Sequence, residues 1–206
     1  MRTLSREHLL SLAAAALLGG CGDLLGTDAH LVDEQRLTFV PVAADAPPLL
    51  ATEVTFWARK DRTREVLLQY DTSYGNGNGK CLLLRIPAGA LDRDASGRVF
   101  QGSDSVLVRV RLVDARRFQF SFEPHGLRFD PAQPARLEVR YRWAAADLNG
   151  DGVVDARDAA LYDRFGFWRQ ARPGEGWSAL VTTRDPAALE ARASLTSFSQ
   201  YALASD

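Results

Sequence analysis

Oxygen-bearing side chains recur through residues 147–158, Asp-Leu-Asn-Gly-Asp-Gly-Val-Val-Asp-Ala-Arg-Asp, at Asp147, Asn149, Asp151, Asp155 and Asp158. Gly152 stands sixth and Val154 eighth in this twelve-residue run. Oxygen donors at this spacing suit a hard divalent cation, because a chain that curls can turn such side chains toward one point. Four aspartates this close repel one another, which favours cation binding. The bland alternative is a solvated acidic turn whose aspartates cap a following helix. Little else in the chain offers chemistry. His8, His30 and His125 are the only histidines, which leaves little for imidazole ligands or acid–base work. The two cysteines, Cys21 and Cys81, are too few for a disulfide-rich scaffold or a four-cysteine zinc site. Lys+Arg number 25 against 26 Asp+Glu, a formal charge of −1. A nucleic-acid binder would show a basic surplus, so no nucleic-acid partner is expected. At 206 residues, 46% hydrophobic and 25% charged, the chain reads as an ordinary globular protein of one domain or two.

The acidic run resembles the EF-hand loop, in the Asp-ending variety of dockerin-type repeats. That resemblance implies Ca²⁺ as the ion. Its ligands would be Asp147, Asn149, Asp151, the Val153 carbonyl, Asp155 (directly or through water) and Asp158 from the first turn of a helix. Gly152 would permit the sharp turn, and Val154 would pack inward. Asp158–Phe165 reads as the helix, with Leu161 and Phe165 on one face. Upstream, Arg136–Trp143 reads as a strand, so the entering helix of a full EF-hand is missing. A dockerin needs two repeats to bind a cohesin, and this chain carries one. The loop is therefore expected as a structural clip inserted between strands.

The N-terminus has the form of an export signal. Arg2 and Arg6 precede the uncharged stretch Leu9–Gly20. As a helix it would rise about 18 Å, short of a roughly 30 Å hydrocarbon core, so it is no membrane span. The stretch ends in Leu18-Gly19-Gly20-Cys21, which resembles the lipobox of bacterial lipoproteins. The resemblance implies a signal peptide over 1–20, lipidation of Cys21 with fatty acyl chains such as palmitate, and anchoring without a transmembrane helix. Gly22 rather than Asp follows the cysteine, which by analogy with Gram-negative sorting favours the outer membrane. Removing Arg2, Arg6 and Glu7 with the signal leaves the mature chain at −2.

Residues 21–50 mix Gly, Asp, Ala and Pro and read as a tether with room for one early strand, Leu37–Val42. A folded domain is expected over 51–206. Strand-like runs follow at Glu53–Arg59, Glu65–Tyr70, Cys81–Ile86, Ser105–Val113, Arg117–Glu123 and Arg136–Trp143. In the fourth, Val106, Val108, Val110 and Leu112 share one face while Arg109 and Arg111 share the other. In the last, Leu137, Val139, Tyr141 and Trp143 share the inward face. Period-two alternation with one polar face marks antiparallel strands over a one-sided core. Tyr74–Gly79 reads as a Gly/Asn turn; no Gly-Lys-Ser/Thr follows it, so it is no phosphate loop. The expected fold is mainly β: an antiparallel β-sandwich with one inserted calcium loop and a short helix. Cys81, heading an apolar run, is expected as a buried inert thiol.

Three ordered phrases, Ile86–Leu91, Phe122–Phe129 and Thr196–Leu203, resemble the ZU-type β-sandwich of zonula-occludens proteins, ankyrins and netrin receptors, in its bacterial secreted form. The resemblance spans roughly 80–203. It implies a non-catalytic adhesion, scaffolding or interaction role. Some relatives cleave themselves at His-Phe-Ser. Here Ser197 stands in the histidine's place before Phe198 and Ser199, and serine is no base near neutrality, so no self-cleavage is expected. Phe198, Tyr201 and Leu203 are expected to fill the core from the last strand, and His125 to be a turn residue.

The leading expectation is thus a lipid-anchored, calcium-stabilised envelope protein, not an enzyme, with an unidentified protein or glycan partner. Trp168 and Trp177 flank the turn Pro173–Gly176 and suggest a competing reading, a carbohydrate-associated module beside a polysaccharide hydrolase. Core packing of both rings is the simpler account.

Overall fold

The computed structural model describes residues 30–74 and 79–206. Residues 1–20, expected as a signal peptide, Cys21, expected as the lipidation site, and the centre of the Gly/Asn turn lie outside the described residues. Two sheets face each other across one core, and every ladder is antiparallel. In chain order the strands begin with β1 (Thr38–Phe39), β2 (Glu53–Arg59), β3 (Arg64–Gln69), β4 (Lys80–Ile86) and β5 (Leu91–Arg93). Next come β6 (Ser105–Asp114), β7 (Gln119–Glu123), β8 (Arg128–Phe129) and β9 (Ala135–Arg140). A helix, α1 (Ala156–Arg164), precedes β10 (Gly166–Gln170), β11 (Trp177–Ala179), β12 (Thr183–Asp185), β13 (Glu190–Leu195) and β14 (Gln200–Ser205). One sheet runs β11-β10-β14-β7-β6-β2, with β1 added along β14; the other runs β12-β13-β9-β4-β3. β5 and β8 form a separate two-stranded ribbon. This is the mainly β sandwich that the alternating runs predict.

Alternation explains the layering. Val108 and Val110 of β6 are buried while Arg109 and Arg111 are exposed, and Leu137 and Val139 of β9 face them across the core. Tyr141 is buried as expected; Trp143 is half-buried beside Tyr70, with ring centroids 6.4 Å apart. Cys81 is buried, and burial pushes its thiol pKa up to about 12, so little thiolate forms near neutrality.

The three phrases separated along the chain meet in space. Leu91 pairs with Phe129, Asp130 N–H donates to the Ala90 carbonyl (2.8 Å), and Gly126 N–H donates to Phe198 O (3.0 Å). The rings of Phe122, Phe129, Phe198 and Tyr201 pack there at centroid separations of 4.9–5.5 Å.

A second apolar layer covers the outer face of the first sheet. Val32, Leu37 and Phe39 pack on Trp168, Trp177, Ala202 and Ala204. The segment from Val32 onward, expected as tether, is thus packed against the sandwich. Its early strand is only Thr38–Phe39, and Pro41 and Val42 continue it as single bridges to Arg117 and Ala144. Apolar side chains at Val32, Leu37 and Val40 are too few and irregular to show a period, yet each finds a buried site. Trp168 and Trp177 are both buried; the Trp168 indole N–H donates to Ala204 O (2.9 Å), and Trp177 meets Phe39 edge-on. Neither ring is presented for stacking on a sugar.

Candidate metal centre

The acidic loop lies between β9 and α1, where the chain leaves one sheet for the other. Its base is tied to the N-terminal segment by Ala145 N–H donating to Pro41 O (2.9 Å). Leu148, Leu161 and Phe165 insert into the main core and fix both ends of the loop. Tyr141, Tyr162 and Phe165 form an edge-to-face trio with centroids 5.0–6.0 Å apart. Arg184 of β12 lies over the Phe165 and Tyr162 rings and donates to the carbonyls of Tyr162 and Asp163. A cation at the last turn of α1 satisfies carbonyls that have no partner inside the helix.

The helix starts at Ala156, two residues before the expected Asp158. The reason is local. Asp155 caps the helix by accepting from Arg157 N–H, while Asp158 reaches back to Asp155 N–H, a reciprocal capping box.

Within the loop, Asp147 accepts from Gly150 N–H (2.7 Å) and Gly152 N–H (2.8 Å), one bond to each carboxylate oxygen. Asn149 Oδ1 accepts from Asp151 N–H (2.8 Å), and Asp151 Oδ1 accepts from Val153 N–H (2.9 Å). Gly150 and Gly152 sit at φ of 73° and 84° with open space where a Cβ would stand. Their glycine requirement is therefore conformational and not steric. Gly152 makes the turn as expected; Gly150 makes a second one.

Asp158 departs from a purely ligating role. It is 3% exposed; its Oδ1 accepts from Leu148 N–H (2.8 Å) and Asn149 N–H (3.2 Å), and its Oδ2 from Asp155 N–H (2.8 Å). The Asp155 N–H first, then those of Asn149 and Leu148, hold its carboxyl below the ordinary carboxylate range. Asp155 is likewise held low, chiefly by the Arg157 guanidinium. Arg157 Nη2 stands 3.1 Å from Asp151 and 2.9 Å from Asp155, so a guanidinium bridges two of the four aspartates. No spacing rule of a cation loop assigns a role to that eleventh position.

Val154 does not pack inward: it is 65% exposed, and Val153 is 56% exposed. The inward apolar role falls to Leu148, the second residue of the loop, which is 5% exposed. With a single loop there is no partner loop for Val154 to cover it, whereas Leu148 faces the sandwich core.

The donor set suits a hard cation in chemistry and in backbone shape, and Asp147, Asn149 and Asp151 share one turn. The fit is partial in side-chain geometry. Asp158 is committed to three backbone donors, and among the described residues no three acidic, histidine or cysteine side chains converge on one point.

The other sequence candidates are held in place by ordinary bonds. His125 Nε2 lies 3.1 Å from Ser121 Oγ. Ser199 Oγ accepts from Arg169 Nε (2.9 Å), and the Ser197 carbonyl accepts from the Tyr201 hydroxyl. Compared with protein-family models, curated proteins and solved structures, the chain matches none of them.

Proposed function

We propose that this protein is a lipid-anchored β-sandwich of a bacterial cell envelope, stabilised by calcium and serving a non-catalytic interaction or structural role. The observation that carries the reading is the position of loop 147–158. It bridges the two sheets, roots Leu148, Leu161 and Phe165 in the main core, and holds its own turns through aspartate side chains. A cation there would lock the crossover between sheets. Ca²⁺ would be held by Asp147, Asn149, Asp151, the Val153 carbonyl and Asp155, and Arg157 would give way to it. Asp158 would hold the loop as a staple, with Oδ2, which accepts a single backbone bond, keeping a lone pair for the ion.

The ZU-type reading draws support from the meeting of its three phrases at Phe129, which pairs with Leu91 and packs on Phe198. The anchor rests on Leu18-Gly19-Gly20-Cys21. Among the described residues no helix is long and apolar enough to cross a membrane.

The calcium site is tested by calorimetry on the full chain in non-ionic detergent. One Ca²⁺ should bind, and Asp151→Ala should abolish the heat. At tenfold excess over Kd, calcium should add about 1.4 kcal/mol of stability. An identical melting temperature in calcium and in chelator would remove the clip from this account. The anchor is tested by metabolic labelling with palmitate: the wild type should incorporate label and Cys21→Ser should not. Equal labelling of both would overturn it.

A further inference from the structure

An open cleft of about 860 Å³ lies away from the acidic loop, bounded by the turn between β7 and β8, the β10–β11 hairpin and the segment entering β14. Its charged wall is basic. Arg128, Arg169 and Arg172 line it with half-buried His125, against the acids Asp92 and Glu175. Both acids are engaged: Glu175 pairs with Arg172 at 3.1 Å, and Asp92 lies 3.5 Å from Arg93. Arg128 and Arg169 have no carboxylate partner among the described residues. Two guanidinium charges thus stand unneutralised in one concavity of a chain whose formal net charge is −1.

Arg169 is also pre-positioned. It is half-buried on β10, and its Nε donates to the hydroxyl of Ser199, which is fully buried. The Nε edge is held on a buried hydroxyl, and among the described residues no carboxylate pairs with the guanidinium. Guanidinium groups keep their charge throughout the physiological range and match oxyanions in a fork geometry. Fixing the side chain in advance lowers the ordering cost of binding. The volume falls within the roughly 300–1,000 Å³ of small-molecule sites.

The geometry points to a binding site for a small organic phosphate monoester, whose near-dianionic group at neutral pH matches the charge of the two arginines that lack a carboxylate partner. A monocarboxylate would neutralise only one of them. This site shares no residue with the calcium loop and does not depend on it.

The test is titration of the full chain in non-ionic detergent with methyl phosphate and then glucose 6-phosphate, at constant ionic strength, read by calorimetry and ³¹P line broadening. Saturable binding at one site is expected, with glucose 6-phosphate at least as tight as methyl phosphate. Arg169→Met should weaken it at least about tenfold, the loss of one charge-assisted pair. Arg128→Ala, at an exposed position, should weaken it about three- to tenfold without disturbing the fold. Arg116→Ala, at an exposed arginine outside the cleft, should leave it unchanged. The proposal is overturned by absence of saturable binding up to about 50 mM, or by equal weakening in Arg116→Ala and Arg128→Ala. Tighter binding of succinate than of methyl phosphate would also overturn it. If Arg169→Met fails to fold, Arg128→Ala against Arg116→Ala still decides.

Discussion

Asp158→Ala should lower the melting temperature by roughly 10 °C, as three hydrogen bonds of ordinary net worth are lost at a few degrees each. The carboxylate is almost wholly enclosed and accepts from the backbone N–H groups of Leu148, Asn149 and Asp155. Alanine leaves those donors without a partner at the point where the loop meets the helix, and the bond lost from Asp155 N–H is one half of the capping box. Asp158→Asn keeps one acceptor oxygen and should recover about half of the loss. The same residue sets a pH dependence. Its folded pKa lies below the ordinary 3.8, so its stabilisation is fully present above about pH 5 and is lost as pH falls through 3.8 toward the folded value. Thermal melts across that range should fall more steeply for the wild type than for Asp158→Asn. A wild-type melting temperature for Asp158→Ala would mean that the carboxylate is an incidental surface group.

Phe198→Ala should have a still larger effect, a loss of about 3–5 kcal/mol. The ring is fully buried, with centroids 4.9 Å from Phe129 and 5.5 Å from Phe122. Its backbone is bonded as well: N–H donates to Leu127 O (2.8 Å) and the carbonyl accepts from Gly126. That backbone holds the cavity walls in place, so the void has little freedom to collapse, which puts the cost at the upper end. Phe198→Leu should cost about 1–1.5 kcal/mol, because most of the volume is kept. Leu107→Ala, on the solvent face of β6, should change stability by less than about 0.5 kcal/mol. Chemical denaturation of the three variants checks the ranking. Equal losses for Phe198→Ala and Leu107→Ala would remove the aromatic cluster from the account of stability.

Legibility in the sequence followed one physical rule, a face that differs from its opposite. β2 matches its expected bounds, Glu53–Arg59, and β6 and β9 fall within a few residues of theirs, because each has a core face and a wet face. β10 escaped notice because it is buried on both sides: Phe167 joins the main core and Trp168 the outer layer, so no alternation shows. β11 and β12 are three residues each, too short to display a period. β13 alternates, but its inward residues Ala191 and Ala193 are small and carry a weak strand signal. In the acidic loop, residue types and the Gly152 turn were legible. The bridging by Arg157 and the inward turn of Leu148 were not, since both depend on what lies opposite in space.

The amino-acid sequence by itself determined the mainly β architecture, the aspartate-rich crossover loop and the helix that follows it, because alternation, glycine at positive φ and helix capping are local properties. Only the tertiary structure decided the rest. It turned the expected tether into a cover over Trp168 and Trp177, and gathered three distant phrases around Phe129. It also engaged Asp158 with three backbone donors and set Arg128 and Arg169 in one cleft with no carboxylate partner among the described residues. Each of these is a matter of which non-local neighbour satisfies or neglects a polar group or an apolar surface, and separation along the chain carries no record of that.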